Sequence, residues 1–364
     1  MPSRLTASLT LLVLLASPAA ALKWAGVPYA YYTSDTGPAV GAYAAFYFRL
    51  PDSLPETRDS YIQPLAIYTW KRQFRFDLNG DLYSPTADWR LRSRNRYEKY
   101  PTEFWPPPGS ENVPKEYYAK YTREKFRAEA EGYRRLLGAL YAGLGAYAEH
   151  YEVVEWAPEA EGLPEGYLPG PAYAPGAAGG LVVGPTAFVE YDTRDLRHAT
   201  TSGLFVRGRF SLFDEGAGSD YTFRWYEADA RFFWSVERLG RKWTCANRLW
   251  LSGRDEAPPF WAMPELGGSA VLRGEPEGRS RGRWLVAYQE ELRVPLFWRV
   301  LGALFVDVGD TARTVGDFSA DTVMLTAGGG LRLDLLEGGE SRVRFDYGRG
   351  KDSQGFYLVF SEAF

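Results

Sequence analysis

Along the C-terminal third of this chain, apolar and polar residues change places at every second position. From Val300 to Asp310, Val300, Leu304, Val306 and Val308 fall on one face with Gly302 between them. Leu301, Ala303, Phe305, Asp307 and Gly309 fall on the other. Further on, Val323, Leu325, Ala327, Leu331, Leu333 and Leu335 alternate with Met324, Thr326, Gly328, Gly330, Arg332 and Asp334. Val343, Phe345 and Tyr347 oppose Arg342, Arg344 and Asp346. In the closing stretch GFYLVFSEAF, Phe356, Leu358, Phe360 and Phe364 share an apolar face, with Glu362 among them. Near the other end, Val40, Ala42, Ala44, Phe46 and Phe48 oppose Tyr43, Tyr47 and Arg49. Successive side chains of a strand point to opposite sides, so period two predicts β-strands.

The lengths of these runs matter as much as their period. They extend to about ten residues or beyond, against about 5–6 for strands of soluble proteins. A tilted strand needs roughly 9–11 residues to cross a bilayer. The polar face carries Asp307, Arg332, Asp334, Arg342, Arg344 and Asp346. In a soluble sandwich that face would look outward; in a membrane barrel it looks into a polar lumen while the apolar face meets lipid. Gly/Pro/Asp-rich joints separate the runs, among them RLPDSLPETRD, WPPPGSENVPKE, DEGAGSD and TVGDFSAD. They alternate roughly between short and long, as turns at one end of a barrel and loops at the other would. The Pro- and Gly-rich segment from Trp156 to Gly180 is expected as a long loop, because strand patterns resume on both sides of it.

One region is ambiguous. Residues 116–150 are rich in helix formers. Read as strands, Phe126, Ala128 and Ala130 alternate with Lys125, Arg127, Glu129 and Glu131, and Leu136, Leu140, Ala142, Leu144, Ala146 and Ala148 then share one face. Two strands are expected there, with a helical hairpin as the alternative. PYAYYTSDTGPAVGAYAAFYFRL echoes PTAFVEYDTRDLRHATTSGLFVRGRFSLF in its order of strand, Asp-Thr pair, turn and strand, which adds a strand over Ala25–Thr33. The count reaches sixteen, even as in bacterial single-chain barrels. The fold expected is therefore all-β: a transmembrane antiparallel β-barrel over residues 22–364.

The N-terminus agrees. Arg4, an apolar run over Leu9–Ala16 and small residues at Ala19 and Ala21 form the pattern of a secretory signal peptide over residues 1–21. The apolar run is too short for a membrane helix, so export to the bacterial outer membrane is expected. The 25 Tyr and 12 Trp could supply interfacial girdles. With 42 Lys+Arg against 46 Asp+Glu, charge gives no support for a nucleic-acid partner.

Candidate chemistry is sparse. The single cysteine, Cys245, cannot form an internal disulfide and reads as a small strand residue. Two histidines, His150 and His198, leave little room for a metal site. Gly267-Gly268-Ser269-Ala270-Val271 lacks the final glycine of a nucleophile elbow. Glu290 and Glu291 point to opposite sides of their strand and cannot act as a pair. No catalytic residue, metal or cofactor is expected, and the chain is not expected to be an enzyme.

The C-terminal third, read in order, resembles the C-terminal barrel of the BamA/TamA family, the bacterial surface antigen superfamily. The residues that carry the likeness are LGGSAVLRGEPEGR, LVAYQEELRVPL, LGALFVDVGD, LTAGGGLRLDLL, VRFDYGRG and GFYLVFSEAF, with EYDTRD at Glu190–Asp195. The strong resemblance covers roughly Phe188–Phe364. It implies a sixteen-stranded outer-membrane barrel with an inward-folded loop. It implies unfolded outer-membrane protein clients, a periplasmic or membrane partner, and a seam between first and last strands that opens sideways. The family's loop signature, Val/Leu-Arg-Gly-aromatic, falls on Leu272, Arg273, Gly274 and Glu275, with an acid at the aromatic position. The resemblance pairs Arg273 with the acid of the Phe-x-Asp-x-Gly strand, here Phe305, Asp307 and Gly309. Phe356, Leu358, Phe360 and Phe364 put a terminal aromatic after apolar residues at alternate positions, which reads either as the end of a lipid-facing strand or as a recognition signal for barrel assembly, read by strand addition. Without the resemblance, the Arg273 stretch reads as a solvated loop. Only Leu22 to about Trp24 precede the first strand, and no substrate-capture module fits. Two functions stay open: assembly or translocation of proteins through the seam, and a transport pore or structural barrel without insertase activity.

Overall fold

The computed structural model describes residues 15–17, 22–33, 37–105, 119–157, 176–197, 199–335, 342–360 and 362–364. Nineteen strands are present among these; three are pieces of two or three residues, and sixteen build the wall. They are β1 Leu22–Thr33, β2 Gly37–Phe48, β3 Ser60–Thr69, β4 Phe74–Tyr83, β5 Trp89–Phe104, β6 Ala119–Leu137, β7 Leu140–Ala157 and β8 Gly180–Asp192. There follow β9 Gly203–Phe213, β10 Phe223–Arg238, β11 Arg241–Arg254, β12 Trp284–Phe297, β13 Val300–Ala312, β14 Met324–Asp334, β15 Arg342–Arg349 and β16 Gln354–Val359. Each pairs antiparallel with the next in chain order. Of the expected leader only Leu15–Ser17 lies within the described residues, paired with Trp24–Gly26 of β1.

Period two sorts the wall as the sequence predicts. On β13, Leu304 and Val306 are exposed outside, whereas Ala303, Phe305 and Asp307 are buried inside. On β14, Leu325 and Leu331 face out while Thr326 and Arg332 are buried. The ambiguous stretch forms β6 and β7, the two longest strands, rather than a helical hairpin. Its propensities favour a helix, but its polarity has period two. Inward charges find partners on the adjacent strand and across the lumen: Arg123 Nε meets Glu98 of β5 at 2.7 Å, and Glu131 meets Arg207 of β9. Packing overrides propensity here.

Chain ends and connections shape the interior. Two-residue turns at 138–139, 239–240 and 298–299 lie at one end, while the long connection 255–283 lies at the other. Most of the Trp156–Gly180 loop, and His198, fall outside the described residues; His150 is exposed on β7. The C-terminus departs from its pattern. Strand β16 stops at Val359, and only Phe356 is an exposed large apolar residue of the predicted row. Phe360 stacks on Tyr43 of β2 at 4.6 Å and lies 4.9 Å from Tyr29 of β1, so it joins the two ends of the wall. Glu362 and Phe364 turn inward: Phe364 is buried against Phe233, and Glu362 is caught by arginines. The reason is electrostatic. Continuing the strand would put a carboxylate on the lipid face, which is costly, whereas inside it meets cations.

Candidate functional site: a loop locked across the lumen

The long connection enters the lumen as a tight hairpin, with Glu265–Leu266 paired to Ser280–Arg281. The apolar step before Arg273 packs inward: Leu266, Val271 and Leu272 cluster with Leu285 and Ala287 of β12. Burial of these side chains drives the loop into the lumen, and polar groups then fix its register.

Arg273 is fully buried. Its Nε donates to Asp307 Oδ2 at 3.0 Å and its Nη2 to Oδ1 at 2.9 Å, the two-pronged geometry that suits a guanidinium. Its backbone N–H donates to the same carboxylate at 2.9 Å. Nη1 reaches Glu291 of β12 at 2.5 Å and Asp346 of β15 at 3.3 Å. The guanidinium carbon sits 3.5 Å from the centroid of the Phe305 ring, a stacking that arginine supports. Burial alone would lower the Arg273 pKa, but Glu291, Asp307 and Asp346 hold it above the usual arginine value. The loop and the strand thus meet residue by residue. Phe305 lies under the cation and Asp307 pairs with it. Gly309 leaves the space where a Cβ would come within 3.0 Å of Leu266.

Backbones also come close. A Cβ on Gly274 would lie 2.7 Å from the β15 backbone, and one on Gly348 would lie 2.3 Å from the Arg273 carbonyl oxygen. Gly274 has φ of 114°, a conformation that favours glycine. Its N–H donates to the Tyr357 hydroxyl of β16 at 3.0 Å, and that hydroxyl donates to the Glu275 carbonyl at 3.2 Å. Glu275 is buried, 3.8 Å from Arg279 and against Gly350 in the β15–β16 turn. The acid at the aromatic position therefore faces the last hairpin.

The sequence left several members of the network unassigned. Arg332 of β14 donates to Glu291 at 2.9 Å, to Asp346 at 2.5 Å and to Glu362 at 3.0 Å. Arg342 holds Glu362 at 2.6 Å. Arg293 donates to Glu291 at 2.8 Å and stands 5.9 Å over the Phe364 ring. Arg344 donates to Asp346 at 2.6 Å and to the Ser269 carbonyl at 2.9 Å. A continuous ionic network therefore runs from the loop tip to the C-terminal residues. Their inward periodicity was readable, but the partner of each was not. The loop also reaches the far wall: Glu277 accepts from Arg123 of β6 at 3.0 Å, and Phe260 packs edge-on against Phe104 of β5 at 5.3 Å. Among the described residues, no group of His, Cys, Asp and Glu has the arrangement of a metal site.

Residues 186–364 match the Omp85 superfamily domain. No curated protein matches the chain. BamA from Haemophilus ducreyi lacking POTRA domains 1–3 is similar in structure, with a TM-score of 0.56 at 15% identity, over 97% of this chain and 75% of that one. CdiB from Acinetobacter baumannii gives a TM-score of 0.59 at 11% identity, over 98% of this chain and 66% of that one. CdiB from Escherichia coli gives 0.58 at 12% identity, over 95% and 66%. Residues 186–364 therefore carry an Omp85 superfamily domain, and the sixteen-stranded wall as a whole has the fold of these barrels.

Proposed function

We propose that this barrel assists the insertion or translocation of outer-membrane proteins, in the manner of the BamA/TamA type, through the edge of β1. One observation carries the reading. The last strand ends at Val359, and the β1 edge over Trp24–Gly26 is paired instead by the extended segment Leu15–Ser17. That edge accepts an added strand, which is the physical basis of β-augmentation. Cleavage of the leader after Ala21 would vacate this edge for a client. Proteoliposomes test the idea. Accelerated insertion of an unfolded barrel client, abolished by a cross-link between cysteines at Tyr29 and Phe360 in a Cys245→Ser background and restored by its reversal, is the expected result. Steady ion conductance with no acceleration would favour the pore instead.

A further inference from the structure

The three most exposed large apolar side chains among the described residues lie at one end of the barrel. They are Leu239, Leu137 and Trp298, at 86%, 79% and 75% exposure, each in or beside one of the two-residue turns β10–β11, β6–β7 and β12–β13. Short turns mark the periplasmic end of such barrels. Leu239 and Trp298 hold φ of 55° and 44°, in turn positions that favour Gly, Asn or Asp. The β10–β11 turn carries charge as well. Phe232, Trp234 and Val236 are exposed along the lipid-facing row of β10, and Arg238 continues that row. Directly opposite it in register stands Arg241 of β11. Like charges in that position destabilise a strand pair, yet among the described residues no carboxylate pairs with either arginine. Glu237 and Lys242, one position along, face the lumen, where Lys242 Nζ donates to the Thr201 hydroxyl at 2.5 Å. Arg241 Nη1 is held by the Pro295 carbonyl at 2.9 Å and by the Leu296 carbonyl. Arg238 stands over the Trp243 ring at 5.9 Å. Two cations are thus set side by side at the rim of the lipid-facing wall with no acid between them.

We propose that Arg238 and Arg241 together hold the phosphate of an anionic phospholipid in the periplasmic leaflet, with Leu239 entering the bilayer boundary beside it. This rests on the place of such barrels in the outer membrane and not on an insertase activity. Charge selects the ligand. Two guanidiniums on one face offer several N–H donors to one phosphate, the group that arginine suits best, and an anion between them removes their repulsion. Position selects the source. The pair ends a lipid-facing row, so the acyl chains of the same molecule lie along Val236 and Trp234. The rim as a whole fits a membrane surface better than a protein partner. Its apolar tips follow the perimeter of the wall from β6 to β13, and the loop between β8 and β9 leaves that perimeter, with Arg197 bonded to Asp81 across the lumen. At the β6–β7 turn Arg134 stands likewise over an indole, that of Trp89, at 4.7 Å. Tryptophan at the headgroup level and cations against anionic lipid are the usual interfacial anchors.

The experiment uses the full mature protein, refolded into bilayers of equal phosphatidylglycerol and phosphatidylcholine at low salt. Val236→Cys in a Cys245→Ser background carries a photoactivatable label, and its adducts with the two lipids are compared by mass spectrometry. Each arginine near anionic lipid is worth about fivefold. The excess of phosphatidylglycerol adduct should therefore be well above fivefold in the parent, about fivefold in Arg238→Gln, and close to none with Arg241→Gln added. A label at Val206→Cys, exposed on the outer face of β9 near the same end, is expected to give nearly equal adducts. Unchanged heat-modifiable mobility on gels shows that each variant is folded. Equal adducts in the parent, an excess that survives both substitutions, or the same excess at Val206→Cys would overturn the proposal. So would capture of a periplasmic protein in place of lipid when the Val236→Cys label is used in native outer membranes.

Discussion

Two clusters of arginines and carboxylates line the lumen, and they are assembled on opposite plans. In the half built from β4 to β8, the cations are consecutive inward positions of one strand: Arg90, Arg92, Arg94 and Arg96 of β5. They pair with Asp77 and Asp81 of the adjacent β4 and with Glu131 and Glu190 on β6 and β8. Asp81 alone has Arg90, Arg92, Arg94 and Arg197 around it. In the half built from β12 to β16, the central cation arrives from outside the wall, on the loop, and every hydrogen bond that the Asp307 carboxylate accepts among the described residues comes from Arg273. The first plan is redundant: three arginines of one strand share Asp81 with Arg197, which reaches it from a loop. In the second, Asp307 depends on one residue, and that residue couples a loop to three strands, β12, β13 and β15.

Truncation should expose that difference most at Arg273. Arg273→Ala leaves Asp307 fully buried with no counter-charge and removes one partner each from Glu291 and Asp346. Losing one member of a buried pair costs about 3–5 kcal/mol. We expect a folded barrel with a released loop, seen as a lower temperature for heat-modifiable unfolding and as proteolysis within 255–283. Arg273→Ala/Asp307→Ala should be milder than Arg273→Ala alone, because the orphaned charge is gone. A double variant as damaging as the single one would mean that the pairing does not hold the loop.

A smaller effect is expected at the C-terminal residues. Glu362 accepts from Arg332 at 3.0 Å and Arg342 at 2.6 Å, but these arginines keep Asp346, Glu291 and Asp334 when it is removed. Glu362→Ala should therefore cost about 1.5–3 kcal/mol, the range for hydrogen bonds to charged groups. The freed C-terminus should become digestible by a carboxypeptidase at a rate that the parent does not show. Equal digestion of both would place these residues outside the lumen in solution.

How far the sequence could be read follows the same divide. Period two gave the strands, their inward and outward faces, and β6 and β7 against a strong helical bias, because each of those features repeats locally. Arg273 and Asp307, 34 positions apart, were matched only through a family signature. Arg197 with Asp81, and Arg58 with Asp192, were not matched at all. They are 116 and 134 positions apart, and loops that fold inward have no distinctive composition. The C-terminal turn was missed because the apolar alternation runs on to Phe364. The one residue that argued against a strand was Glu362 on the apolar row. A lone charge on a lipid-facing row is a sign that the chain leaves the wall.

The weakest response should come from the redundant cluster. Arg94 donates to the Gly80 carbonyl at 3.0 Å and the Tyr61 hydroxyl at 2.9 Å, and stands 3.5 Å from Asp81. Its side chain is about a quarter exposed, which screens the pair. With Arg90, Arg92 and Arg197 still on Asp81, Arg94→Ala should cost about 1 kcal/mol or less. Arg94 and Arg273 share no carboxylate partner, so their effects should add within about 0.5 kcal/mol in the double variant. Denaturation of the four proteins in one detergent completes the cycle. A coupling well above that figure would show that the loop, which already touches β6 through Glu277 and Arg123, ties both clusters into a single lumen network.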